Sequence, residues 1–287
     1  MLGDLGAARL DLAAYADLVE ELRQPPVDLF EISAHRAMLA LAEGKLDEAE
    51  DLVEQAFRAG ERAQPEMALP AYVLQRYTLG DLRGQVEDVE PTVRDLVARY
   101  PARPVFRCAL AHLDARLGRD EKAMQALEDI AADEFSPLPF DQEWLFAMSL
   151  LAETCARLND TASAPVLYRL LRPWAAFNAA DPYEGIRGSV SRYLGLLATR
   201  MGRWSDAAQH FEDAVAGNAR MGLRPWLAYT QHDYARMLLA RDEPGDRERA
   251  EKLSDSALAT YRALGMQSDA ASAALSSADP RHKNGGA

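Results

Sequence analysis

A glycine followed five positions later by an alanine recurs through this chain, at Gly3/Ala8, Gly44/Ala49, Gly118/Ala123, Gly202/Ala207 and Gly245/Ala250. Asn159/Ala164 repeats it with the other residue that tolerates a left-handed turn, and Gly84/Val89 is a looser copy. From Gly44 onward the copies stand 40, 34, 41, 43 and 43 residues apart. A period of this length restricts the fold more than composition does, because each unit must bury its apolar face against the next copy.

Each copy reads as two helices. Before the glycine lies an apolar helical pattern, as in AHRAMLALAEG (34–44) or FRCALAHLDARLG (106–118). After it lies a second, as in DEAEDLVEQAFRAG (47–60) or SDAAQHFEDAV (205–215). The glycine ends helix one and reverses the chain, with Asp47, Asp120, Asp160 and Ser205 as candidate N-caps of helix two. Ala37, Ala111, Ala152 and Gly195 fall where the two helices cross and allow close approach, whereas Tyr77 holds that place in the second copy. Ala56, Leu96, Ile130, Leu171, Ala214 and Ala257 continue the inward face of helix two. Prolines, Pro70 among them, read as lying between helices or in first turns, with Pro91 and Pro165 just inside helix starts. Strand signals are nearly absent: there are no alternating Val/Ile/Thr runs and no Asn-Gly hairpins. The expectation is an all-α array over residues 1–266, about six helical hairpins plus a leading half-hairpin, followed by a disordered tail over 267–287.

The copy from Ser191 to Ala219 resembles the tetratricopeptide repeat (TPR) family, with Leu194, Gly195, Ala198, Ala207, Phe211 and Ala214 on the signature spacing and Ser191 where a Trp is usual. The resemblance implies a right-handed α-solenoid of TPR-like hairpins. Residues 138–266 also resemble the C-terminal helical region of bacterial STAND-class signalling ATPases, both LuxR-type transcription factors and adenylate-cyclase-linked regulators. That implies a sensing or scaffolding role beside an ATPase module. No such module is legible here: Gly44-Lys45 is the one Gly-Lys pair, with Leu46 where Ser or Thr is needed. The sequence opens inside a repeat, so it reads either as part of a larger regulator or as a stand-alone relative.

Composition narrows the function. The net charge of −13 disfavours direct binding to nucleic acid or to an anionic membrane surface. No apolar run is long enough to span a bilayer and no secretory signal opens the chain, so a cytoplasmic protein is expected. Four lysines against twenty-eight arginines suit a GC-rich bacterial genome. Cys108 and Cys155 read as buried free thiols. No catalytic motif or metal-ligand spacing appears, and the five histidines are scattered. The expectation is a protein that is not an enzyme, with no cofactor and no metal.

If the family geometry holds, the first helix of each hairpin lines a concave groove. Facing it would be His112, Arg116, Glu153, Arg157, Arg192, Arg200, Tyr229, His232 and Arg236. Arginine binds carboxylate or phosphate through a two-pronged fork, which points to a small anionic ligand, a peptide or a partner protein. Equally, these arginines would pair with acidic residues of neighbouring helices. The long linker RPWAAFNAADPYEGIRG (172–188) would cover the groove or pack on it. The expected role is a non-catalytic sensor or scaffold region of a signalling or transcriptional regulator, with a stand-alone peptide-binding adaptor as the alternative. The unpaired first helix leaves an apolar end through which a second copy would dimerise.

Overall fold

Six residues of the recurring pattern adopt left-handed backbone in the computed structural model, which describes residues 4–22 and 26–267. Their φ angles are +80° at Gly44, +69° at Gly84, Gly118 and Gly202, +56° at Asn159 and +88° at Gly245. The first five close a helix and send the chain back. In the sixth copy Asp242 (φ +54°) closes the helix, and Gly245 stands directly before the next one. Gly3 and the proposed tail from 268 onward lie outside the described residues.

Helix α1 (Leu5–Leu22) precedes six pairs. These are α2 (Pro26–Glu43) with α3 (Leu46–Gly60), α4 (Pro65–Arg83) with α5 (Glu90–Arg99), and α6 (Val105–Arg116) with α7 (Asp120–Phe135). Then come α8 (Trp144–Arg157) with α9 (Ala164–Leu171), α10 (Val190–Arg200) with α11 (Trp204–Met221), and α12 (Arg224–Arg241) with α13 (Asp246–Leu264). The all-α class expected from the sequence holds for these residues.

The second helices bury single stripes. In α3 they are Leu46, Ala49, Val53, Ala56 and Gly60; in α11, Ala207, Phe211, Ala214, Asn218 and Met221. Both follow the alternation of three and four that keeps one helical face inward. The first helices are buried nearly all round: α8 buries Trp144, every residue from Phe146 to Ala152, and Thr154 and Cys155. They therefore form an inner layer, with the second helices outside it. Ala37, Ala111 and Ala152 are fully buried, as their place at the crossings requires. Tyr77 takes up the room that a closely crossing partner would need, and its hairpin continues through a 3-10 turn (Val86–Val89) into the short α5.

Three expectations need correction. The helices after Gly44, Gly118 and Gly202 begin directly after Lys45, Arg119 and Arg203, whose side chains make no cap, so Asp47, Asp120 and Ser205 lie inside the first turn. There the aspartates act on the helix dipole rather than as caps. Asp160 does receive backbone N–H donors, from Ala162 at 2.8 Å and Ser163 at 3.3 Å, but it precedes the cap residue Ser163. Pro70 lies inside α4, where it removes one intrahelical bond, to the Glu66 carbonyl. The 172–188 linker contains strand: β1 (Asn178–Asp181) and β2 (Gly185–Ser189) pair antiparallel, with Ala180 opposite Ile186.

The inner helices meet end to end. Helix α12 packs on α2, and a Cβ placed on Gly44 would lie 2.6 Å from Leu264 Cδ1. The Gln267 N–H donates to the Leu82 carbonyl at 3.2 Å. Ala40, Leu41, Leu79 and Leu82 share one apolar cluster with Ala228, Ala257, Tyr261 and Met266. The first and last hairpins therefore touch, and β2 fills the middle, packed on α2, α4, α8, α10, α11 and α12. Both cysteines are buried and free, with burial pushing each thiol up to about 12.

The crossing at Gly195 leaves no room for a side chain. A Cβ there would stand 2.9 Å from two atoms of the Phe211 ring. Gly195→Leu is expected to lower unfolding free energy by about 2–4 kcal/mol through overpacking. Urea denaturation of the two forms checks this, and equal midpoints would refute the crossing.

Candidate functional site

Strand β2 carries an arginine into the centre of the molecule. All five of its residues are buried, and Arg187 is 0% exposed. Its guanidinium pairs with Glu153 of α8 and lies 5.2 Å from the Trp226 ring centre and 5.8 Å from that of Phe146. The next residue must be glycine: φ is +77° at Gly188, and a Cβ there would come 2.6 Å from Trp226 Cβ. The strand is anchored from α10 by Tyr193, whose hydroxyl donates to the Arg187 carbonyl.

Glu153 is the hub. Besides Arg187, its carboxylate accepts from Arg192 Nη2 at 2.6 Å and faces His112 Nε2 at 3.4 Å. Arg192 Nε donates to Asp233 Oδ2 of α12 at 2.8 Å. His112 Nδ1 bonds the Tyr77 hydroxyl of α4, and Arg116 of α6 pairs with Asp81 of α4 at 2.7 Å. Five inner helices and the hairpin thus share one ionic network, in which Asp81, Glu153 and Asp233 balance Arg116, Arg187 and Arg192. Burial opposes ionisation of Glu153, yet Arg192 and Arg187 outweigh it and hold its carboxyl well below the usual range. Burial lowers His112 against the pull of Glu153, so it stays neutral.

Of the groove residues named from sequence, the fold brings together His112, Arg116, Glu153, Arg192 and Tyr229, whose ring centre lies 5.3 Å from the Arg192 guanidinium. The others sit elsewhere. Arg157 reaches the Ala115 carbonyl at 2.7 Å, Arg200 bonds Asn159, His232 is half-buried and Arg236 is exposed. Strand β2 packs against the inner helices there, and Arg116, Arg187 and Arg192 pair with acidic neighbours. Sequence reasoning missed Arg187, Asp81, Asp233 and Tyr77. Asp233 was legible, since it follows Tyr229 by four residues on one helical face; Arg187 was hidden in a segment read as linker.

The network has donors to spare. Arg187 Nε and Nη1, Arg192 Nη1, the Tyr229 hydroxyl and Trp226 Nε1 are buried and bond no acceptor within the protein. Buried donors are normally satisfied, and guanidinium N–H groups cost most when they are not.

A second cluster sits at the hairpin tip. Asp181 and Glu184 flank the turn, with Tyr183 N–H and Glu184 N–H donating to Asp181 Oδ1 at 3.0 and 3.1 Å. Glu143, preceding α8, joins them, and Arg103 pairs with both Glu143 and Glu184. Burial pushes Asp181 up to about 6 and Glu184 well above the carboxylate range.

Comparison of the chain with protein-family models, with curated proteins and with solved structures returned no match.

Removing the hub carboxylate should hurt more than removing the hairpin cation. Glu153→Ala strands a wholly buried guanidinium and is expected to cost about 3–5 kcal/mol, whereas Arg187→Met leaves Glu153 with Arg192 and His112 and costs less. Denaturant melts of both variants give the comparison; the reverse order would displace Glu153 from the hub. Within the interior network the pH dependence has one sign, and the raised Asp181 and Glu184 at the hairpin tip oppose it. The pKa of His112 is lowered from 6.5, so its contribution is complete above 6.5 and fades as pH falls below that. That of Glu153 is lowered from 4.5, so its contribution is complete above 4.5 and is lost on further acidification. The stability difference between wild type and His112→Gln should shift against wild type as pH falls from 7 to 5, as measured by melts of both forms across that range.

Proposed function

We propose that this chain is a non-catalytic, TPR-like sensor or scaffold region of a bacterial, cytoplasmic signalling or transcriptional regulator. Its ligand is an anion, the carboxylate or phosphate of a small molecule or an acidic peptide, held in the interior beneath the β1–β2 hairpin. The observation that carries this reading is the set of buried donors without an acceptor, contributed by the hairpin through Arg187 and by inner helices through Arg192, Tyr229 and Trp226. A forked guanidinium with free N–H groups in a low-dielectric interior is what selects an oxyanion. Because the donors sit on both the hairpin and the inner helices, an anion entering there would alter how the hairpin seats. The same network touches five inner helices, so the change would spread round the array.

No helix among the described residues is long and apolar enough to cross a membrane. The alternative of a stand-alone peptide-binding adaptor has its own support: β2 is already an extended segment lying across the inner helices, the mode in which such a fold would hold a peptide. Self-association through the N-terminal end also remains part of the proposal, supported by the exposed leucines Leu10, Leu18 and Leu22 of α1 and Leu29 of α2.

The test is a thermal-shift screen of anionic metabolites, nucleotides, inorganic phosphate and acidic peptides against wild type and Arg187→Met. An anion at about 100 times its dissociation constant should add about 2.7 kcal/mol of stability to wild type. That gain should shrink in Arg187→Met, and deuterium uptake over 178–189 should change on binding. A screen in which nothing separates the two forms overturns the anion site. Sedimentation that stays monomeric at high concentration overturns self-association.

A further inference from the structure

The two buried ionic clusters differ in composition. In the interior three carboxylates meet three guanidiniums. At the hairpin tip three carboxyl groups, Glu143, Asp181 and Glu184, meet one guanidinium, that of Arg103. The three residues are 8%, 2% and 2% exposed, so water does little for their carboxyl groups. One oxygen from each lies within 4.8 Å of the others. Separately, Asp181 Oδ2 and Glu184 Oε2 are buried and accept no hydrogen bond from the protein. The turn amides occupy Asp181 Oδ1 and Arg103 occupies Glu184 Oε1, so one oxygen of each carboxylate is left over.

We propose that Glu143, Asp181 and Glu184 bind a divalent cation, calcium, which fastens the tip of the β1–β2 hairpin to the start of α8. A purely carboxylate set selects a hard cation over zinc or copper. Oxygens within 4.8 Å of one another are near enough to converge on one ion, and calcium accepts irregular oxygen sets at about 2.3–2.6 Å where magnesium demands a near-ideal octahedron. Burial points the same way, because magnesium gives up its water reluctantly. The ligands come from two separate segments of chain, which is why no metal spacing is legible in the sequence. This proposal does not rest on the anion reading, although a fastened tip would also hold Arg187 in place.

The experiment titrates calcium, magnesium and manganese into chelator-treated full-length protein, beside an Asp181→Asn, Glu184→Gln variant of unchanged shape. Calcium at about 100 times its dissociation constant should raise the melting temperature of wild type by about 5 °C and slow deuterium exchange over 178–189. Terbium should give emission sensitised by Trp144 or Tyr183, next in sequence to the ligands. Both responses should be lost in the variant. If the variant proves misfolded by circular dichroism, Asp181→Asn alone takes its place. Wild type that neither shifts with calcium nor sensitises terbium, or a folded variant that responds as wild type does, overturns the site. A response to an anion without one to calcium would leave the interior reading standing and remove this one.

Discussion

The structure turns on the pairing of Arg187 with Glu153. An arginine with no exposed surface is tolerable only where a carboxylate faces it, and Glu153 meets that need from the middle of α8. Glu153 in turn is held ionised by two guanidiniums, one from the hairpin and one from α10. Neither partner is independent of the fold. The hairpin enters because Gly188 has no side chain to strike Trp226, and the inner helices close because the hairpin fills what would otherwise be an empty middle.

This explains a feature that the outer packing alone would not. Arrays of helical hairpins are held by contacts between neighbours, and their stability is close to a sum over those contacts. Here a polar network crosses the array instead, tying α4, α6, α8, α10 and α12 to a single strand. Networks of this sort are costly when incomplete and specific when satisfied. Composition divides the two sites: around Arg187 and Arg192 most of the unbonded buried groups are donors, and at the hairpin tip they are the carboxylate oxygens of Asp181 and Glu184. We propose an oxyanion for the first and a cation for the second. Both sites take residues from the same hairpin, which makes that segment the point where binding and the state of the helical array would meet.

The apolar outer layer has a simpler logic. Stripes at alternating intervals of three and four, such as Leu46 to Gly60 and Ala207 to Met221, seat each second helix on its partner. At the crossing in the fifth pair, Gly195 lets Phe211 lie against bare backbone. Where Tyr77 replaces the small residue, the partner helix is short, and the tyrosine instead reaches His112 and joins the interior network. One substitution in the repeat thus exchanges a helix contact for a polar one.

Much of this was determined by sequence alone. The helical hairpins, their left-handed turns at Gly44, Gly84, Gly118, Asn159 and Gly202, and the buried positions of helix two follow from local rules: glycine tolerates positive φ, and a helix buries every third or fourth residue. His112, Arg116, Glu153, Arg192 and Tyr229 were named as inward-facing through the resemblance to TPR hairpins. The tertiary structure alone decided that the first and last hairpins meet, that the linker inserts as a strand, and that the arginines pair with Asp81, Glu153 and Asp233. Those outcomes depend on small angles accumulated over many interfaces and on residues far apart in the chain. Nothing in a local window records whether a ring of helices closes, or which segment will occupy its middle.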